Sequence, residues 1–325
     1  MGSESLIGAL RVRLMLLTLA LFATAACAKS NGDAGAKSHA SSIRLFNAAS
    51  IARPLRVLAD SFTARTRITV VQENQSSLEL ARKLTEFNDI PDVIALADHQ
   101  VFPKLLSPKF VDGWWLFARN RMVLGYTEKS LHQDLLVNDG WRHVVTMPDV
   151  EVGRSDPNTD PSGYRTLMAF QLAELHYNEP GLAKRLLVGA AEKNVRPREA
   201  DQVGMLQAGE LDYIWTYENL ARGAGLKFVW LPAAVDLSTA EDSSFYSKAS
   251  VRVAGKQRGD SVTFHGEPIL YGVAVPTAAA DTTGGYQFLA FMLSADGQRI
   301  LHAASLDALD KPIAVKAATS RPVKP

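Results

Sequence analysis

IRLFNAASIARPLRVLADSFTARTRITVVQENQSSLELARKLTEFNDIPDVIALA, residues 43–97, alternates two apolar rhythms. Ile43 to Ala48 is a short apolar run, after which Ile51, Leu55, Leu58 and Phe62 recur at helical spacing. Ile68 to Gln72 reads as a second strand, Leu78 to Leu84 as a second helix, and Pro91 to Ala97 as a third, almost wholly apolar strand. Strands joined by crossover helices run parallel, so this stretch predicts an α/β fold whose sheet is covered by helices.

Downstream the same rhythm continues. Phe117 to Tyr126 contains a strand centred on Met122, Val123 and Leu124, and a long helix follows from about Tyr164 to Tyr177. Val195 to Pro197, a helix over Glu199 to Gln207 and a strand over Leu211 to Tyr217 form a second α/β series. Phe228 to Leu231 and Pro268 to Pro276 read as strands, and Tyr286 to Leu293 and Ala295 to Ala304 as helices, with Ser294 as N-cap of the second. The tail after Val315 is polar and reads as loose. With 325 residues, 47% hydrophobic and 21% charged, the chain is neither disordered nor a polytopic membrane protein, and is long enough for two lobes.

The N-terminus reads as an address. Arg11 and Arg13 precede an uncharged run, Leu14 to Ala26, that is too short to span a bilayer comfortably and ends in small residues. Residues 1–26 are therefore expected to be a signal peptide. Thr24-Ala25-Ala26-Cys27 resembles a lipobox, with Cys27, the one cysteine, where lipid would be attached, although Thr24 stands where Leu is usual. Ordinary signal cleavage with Cys27 as a bystander is the alternative, and both readings export the protein, to the periplasm or to the cell surface as a membrane-anchored lipoprotein. Residues 27–42, rich in Ala, Gly, Ser and Lys, read as a tether. The whole chain carries a formal charge of +1, which loss of Arg11, Arg13 and Glu4 takes to zero, so no basic field points to nucleic acid.

No phosphate-loop, dinucleotide, zinc-protease or nucleophile-elbow motif occurs, and no two histidines stand at i, i+4. His99 and His265 read as surface residues, and Arg258-Gly259-Asp260 as a hairpin tip. What recurs is the hydroxyl-bearing strand-to-helix turn: Ser50, then Ser76-Ser77, then Asp160-Pro161-Ser162-Gly163. Each such turn offers free backbone N–H groups and the positive end of a helix dipole. Several converging at strand ends make an anion site without Lys or Arg. Each taken singly is also an ordinary helix cap.

Asn47-Ala48-Ala49-Ser50, the segment from Ser155 to Arg165 and Gly209-Glu210-Leu211-Asp212-Tyr213 together resemble the tungstate/molybdate-binding proteins of ABC importers, and so do the segments Ala118 to Tyr126 and Pro268 to Pro276. The resemblance runs from about Ile43 to Val315 and is strongest to the branch that holds the metal six-coordinate. It implies a two-lobe periplasmic-binding-protein fold of type II with the oxyanion in the cleft between lobes, a carrier rather than an enzyme, a permease as partner, and no cofactor beyond the cargo. An extracytoplasmic receptor or sensor for another oxyanion, phosphate or vanadate, is the alternative. The chain is expected to be monomeric.

By position, the resemblance implies oxyanion contacts from Ser50 and Ser77, with Asp160 as a direct carboxylate ligand of bound molybdenum or tungsten unless it merely caps its helix. A tyrosine hydroxyl falls to Tyr217, with Tyr246 behind it. The second carboxylate of the resembled family falls on Thr216, and Glu218 lies two residues on. On that reading Thr216→Glu supplies a missing ligand. Lobe one is expected over 43–117 and 277–312, lobe two over 127–267, and the crossings over 118–126 and 268–276.

Overall fold

The computed structural model describes residues 42–137, 140–255 and 259–317. The expected signal peptide, Cys27, the tether up to residue 41 and Arg258 lie outside them. In chain order the strands are β1 (Ser42–Ala48), β2 (Thr69–Gln75), β3 (Val93–Leu96), β4 (Gly113–Arg119), β5 (Met122–Tyr126), β6 (Val152–Ser155) and β7 (Val195–Arg196). There follow β8 (Tyr213–Tyr217), β9 (Lys227–Trp230), β10 (Ser250–Ala254), β11 (Ser261–His265), β12 (Leu270–Ala274) and β13 (Asp307–Lys316).

They form two sheets and a hairpin. One sheet has the order β13-β4-β12-β3-β1-β2, the other β7-β6-β8-β5-β9, and β10 pairs with β11 alone. Strand β1 runs parallel to β2 and β3, as the crossover helices Ala52–Thr66 and Ser77–Phe87 require. Ile51, Leu55, Leu58 and Phe62 are all buried, so the helical spacing did mark the face that packs on the sheet. Each crossover helix stops at a left-handed residue, Arg67 (φ 66) and Asn88 (φ 52). Strands β12 and β13 join antiparallel, which gives a mixed sheet.

The segment from Phe117 to Tyr126 is two strands rather than one. It breaks at Asn120-Arg121, where the chain leaves the first sheet for the second. An apolar pattern records burial, and burial continues across the break, so the pattern carries no mark of the change of sheet. The return passes through Ile269, whose carbonyl accepts from Asn120 N at 3.1 Å, so the two passages lie side by side.

Strand β13, which nothing in the sequence reading marked, runs from Asp307 to Lys316 along β4, and the tail expected to be loose after Val315 is described only as far as residue 317. Its sequence, DALDKPIAVK, hides a strand behind charges and Pro312. It is an edge strand, and the pairing register shifts between Ala308 and Ile313, so the missing N–H of Pro312 interrupts no continuous ladder.

The helix Pro161–Tyr177 passes through the core of the second sheet's half. Tyr164, Met168, Ala169, Phe170, Leu172 and Ala173 are buried along it, and Phe170 meets Trp215 edge-on at 5.0 Å. Pro161 at its first turn, Asp160 as N-cap and Asn178 (φ 49) at its end delimit it. Among the described residues no helix is long and apolar enough to cross a membrane.

This helix starts hard against the end of β6. A methyl group on Gly163 would stand 2.6 Å from both the Asp156 carbonyl carbon and Ser155 O, and backbone cannot swing away as a side chain can. Gly163→Ala should cost about 2 kcal/mol, the range for overpacking, read as a lower midpoint of urea unfolding. An unchanged midpoint would show that the turn has room to spare.

Candidate functional site

The turns singled out in the sequence meet between the two sheets. Ser50 lies in a single 3-10 turn after β1 and is buried. Its carbonyl accepts from Asn219 Nδ2 at 2.8 Å, and its side chain is hydrogen-bonded to Tyr271. The β2 turn divides its two serines. Ser76 is an N-cap whose hydroxyl donates to Glu79 in a capping box, so its proton is spent locally. Ser77 Oγ instead accepts from Ala97 N at 3.0 Å, which leaves its own proton to give.

Asp160 is buried and caps its helix, accepting from Ser162 N at 3.0 Å on Oδ1. Its Oδ2 accepts from Glu199 N at 2.9 Å, at the start of the helix Glu199–Ala208. Each oxygen has taken one donor, and a carboxylate has room for about four.

Thr216 is fully buried, and its Oγ1 donates to Glu199 Oε1 at 2.5 Å. Tyr217 N donates to the same oxygen, while Glu199 Oε2 is buried without a hydrogen-bond partner. A carboxylate therefore stands beside Thr216 after all, and it comes from Glu199. Sequence reading passed over Glu199 because an acid in the first turn of a helix is commonplace. The same rule that marked Ser50, Ser77 and Asp160, a polar residue where a strand hands over to a helix, also covers the turn after β7.

Tyr217 is fully buried, its hydroxyl has no hydrogen-bond partner, and its ring lies 6.1 Å from that of Tyr271. The two reserve candidates lie elsewhere. Tyr246 gives its hydroxyl proton to Ala233 O, and Glu218 pairs with Arg121 at 3.1 Å and with Arg222 at 2.5 Å.

One cation enters the site that sequence reading composed without any. Arg165 is buried with Nη2 2.8 Å from Asp98 Oδ2, an oxygen to which Tyr164 also donates, and its Nε has no hydrogen-bond partner. Its charge is felt at Tyr217. Asp98, His99 and Glu267 hold possible ligand atoms within 4.8 Å of one another. Since Asp98 already matches Arg165, a metal cation there would face a guanidinium.

Burial dominates the electrostatics. It pushes Glu199 up from the usual carboxylate range, and the nearby charge of Asp160 adds to the effect. It pushes Asp160 up as well, and the N–H groups of Glu199 and Ser162 offset only part of that. Tyr217 is likewise raised far above the ordinary phenol by burial. A separate cavity of about 510 Å³, lined by Met147, Val150, Lys184 and Val188 among others, sits where the chain enters β6, whereas Asp160 follows its exit.

The family model for bacterial extracellular solute-binding proteins matches residues 43–305. A solute-binding protein of Petrotoga mobilis is 36% identical over 260 residues, 80% of this chain and 81% of its own length. The molybdate/tungstate-binding protein WtpA of Pyrococcus abyssi is 29% identical over 332 residues, 94% of this chain and 95% of its own. Among solved structures, the periplasmic molybdate-binding protein of Azotobacter vinelandii matches with a TM-score of 0.59 at 19% identity, over 81% of this chain and 98% of that one. That likeness concerns the fold, a two-lobe α/β architecture of type II with the cleft between its sheets. With the family model spanning most of its length, the chain belongs to the bacterial extracellular solute-binding proteins.

Proposed function

We propose that this chain is an exported carrier that captures molybdate or tungstate in the cleft between its lobes and delivers it to an ABC importer. The observation that carries the proposal is the buried pair Asp160 and Glu199 beside the unspent protons of Ser77 and Tyr217. A fully ionised tetrahedral anion such as sulfate is repelled by carboxylates in a dry cleft and offers no proton to them. Molybdenum and tungsten can accept carboxylate oxygens as further ligands, which turns the repulsion into coordinate bonds. The name of the Pyrococcus abyssi relative supports the same cargo.

On this reading Ser50, Ser77 and Tyr217 hold the oxyanion's oxygens, Asp160 and Glu199 approach the metal, and Thr216 orients Glu199. The oxyanion is cargo, and the protein does no chemistry on it. Lobe one comprises 43–117 with 277–312 and lobe two 127–267, hinged where the chain passes Asn120-Arg121 and returns by Ile269. The leader over 1–26 directs export, Cys27 carries a lipid anchor, the chain works as a monomer, and the permease is its partner.

Calorimetric titration with molybdate, tungstate, vanadate, phosphate and sulfate tests the cargo. Molybdate and tungstate should bind and sulfate should not; tight sulfate binding would overturn the reading. Ser77→Ala should lose about 1.5–3 kcal/mol, the range for a hydrogen bond to a charged group, or roughly tenfold to a hundredfold in affinity. Ser76→Ala should lose much less, and equal losses would reduce the turn to a scaffold. Asp160→Asn and Glu199→Gln should each nearly abolish binding. Thr216→Glu, which would set a further carboxylate against Glu199, should weaken binding and not strengthen it.

Stability against pH tests the carboxyl pair. A carboxyl whose pKa is higher in the folded than in the unfolded chain favours folding while protonated, and that contribution disappears as pH rises through the folded value. In the ligand-free protein the advantage of Glu199→Gln over the wild type, measured as the difference in Tm, should therefore grow from about pH 5 to about pH 8. A difference constant across that span would mean that the pair is not perturbed.

A further inference from the structure

Residues 156–160, between β6 and the long helix, form a rigid turn. Asp156 Oδ1 accepts from Asn158 N at 2.8 Å, Asp160 N donates to Asp156 O at 2.9 Å, and Thr159 Oγ1 donates to Pro197 O at 2.7 Å. The turn belongs to the second sheet's side of the cleft, and the other side grips it from outside. Leu78 N donates to Thr159 O at 3.1 Å, and Arg82 Nη2 donates to Asn158 O at 2.9 Å. Leu78 and Arg82 stand one turn apart on the helix Ser77–Phe87, so a single helix face presents two donors to two consecutive carbonyls. From the hairpin, Ala254 N donates to Asn158 Oδ1 at 3.2 Å.

The register matters because of what flanks it. Ser77 immediately precedes Leu78, and Asp160 immediately follows Thr159. The Leu78–Thr159 bond thus fixes the separation of two groups assigned above to the oxyanion. We propose that the carbonyls of Asn158 and Thr159 are the catch of the closed cleft, and that Arg82 is a positioning residue that sets how fast bound oxyanion leaves without touching it. The proposal rests on the cleft reading above. These bonds join opposite sides of the cleft: the ligand-free protein makes and breaks them as it closes and opens, an anion enters while they are broken, and they must break again before it departs. Their loss belongs in the dissociation rate and not in the association rate. Arg82 is steadied by Glu86 at 4.0 Å and is only partly exposed.

Stopped-flow measurement of molybdate binding, followed by tryptophan fluorescence, tests this with Arg82→Ala and Arg82→Lys. Arg82→Ala should raise the dissociation rate about tenfold, the low end for a charged hydrogen bond at a partly exposed position. Its association rate should stay within about twofold, and Arg82→Lys, which keeps a cationic donor, should recover most of the loss. An unchanged dissociation rate at full stoichiometry, or a Lys variant as fast as the Ala variant, would overturn the catch. If the wild type takes up neither molybdate nor tungstate, the cleft reading fails by itself. The catch is then judged by hydrogen exchange: Arg82→Ala should speed exchange at the Leu78 amide about tenfold relative to amides of β1, and equal exchange overturns it.

Discussion

The Asp160 carboxylate is the joint from which the site is hung. One oxygen takes the N–H of Ser162 and the other that of Glu199, so a single side chain caps one helix and starts another. Both donors are backbone, which leaves little freedom in where the helix Glu199–Ala208 begins. That fixes the Glu199 side chain under Thr216 and Tyr217 N, and their two bonds to Oε1 turn Oε2 to the unpartnered position. Two acids held together out of water repel, and the fold offsets part of that with two backbone donors to Asp160 and one backbone and one hydroxyl donor to Glu199.

Around this joint the charges are matched in a way that keeps the cleft from being basic. Arg165 is cancelled by Asp98 at 2.8 Å, with Tyr164 on the same oxygen. Burying such a pair costs about several kcal/mol per ion before the mutual attraction is counted, so it is poor evidence of added stability. What it does supply is a cation held in place, with Nε still free of hydrogen-bond partners, whose charge reaches a tyrosine with a hydroxyl likewise free. On the proposed reading, an anion here would meet directed donors rather than a diffuse positive field, and directed donors select for shape.

Much of this was legible in the chain, and the parts that were not have physical reasons. Ile51, Leu55, Leu58 and Phe62 marked their helix because one face is wet and the other dry. The long helix was legible from the turn that opens it, Asp160 to Gly163, more than from periodicity, since its interior is buried on most sides. Ser77 was separable from Ser76 in principle, yet only the structure shows which hydroxyl keeps its proton. Glu199 and Arg165 escaped because each reads as unexceptional locally. An acid suits any helix start, and an arginine suits any helix, so their partners Thr216 and Asp98, 17 and 67 residues away, had to be located first. Strand β13 escaped because edge strands are written in polar residues.

That last strand has a consequence for the molecule among its own kind. On the proposed reading of a lipid anchor at Cys27, identical copies would be crowded on one surface, where even a weak self-pairing edge is met at high effective concentration. The outer edge of the six-stranded sheet is such an edge, ten residues long from Asp307 to Lys316. Pro312 breaks its row of donors, the shift between Ala308 and Ile313 spoils its straightness, and Asp307, Asp310, Lys311 and Lys316 line it with charge. Copies packed side by side therefore present one another with a selvedge instead of a seam.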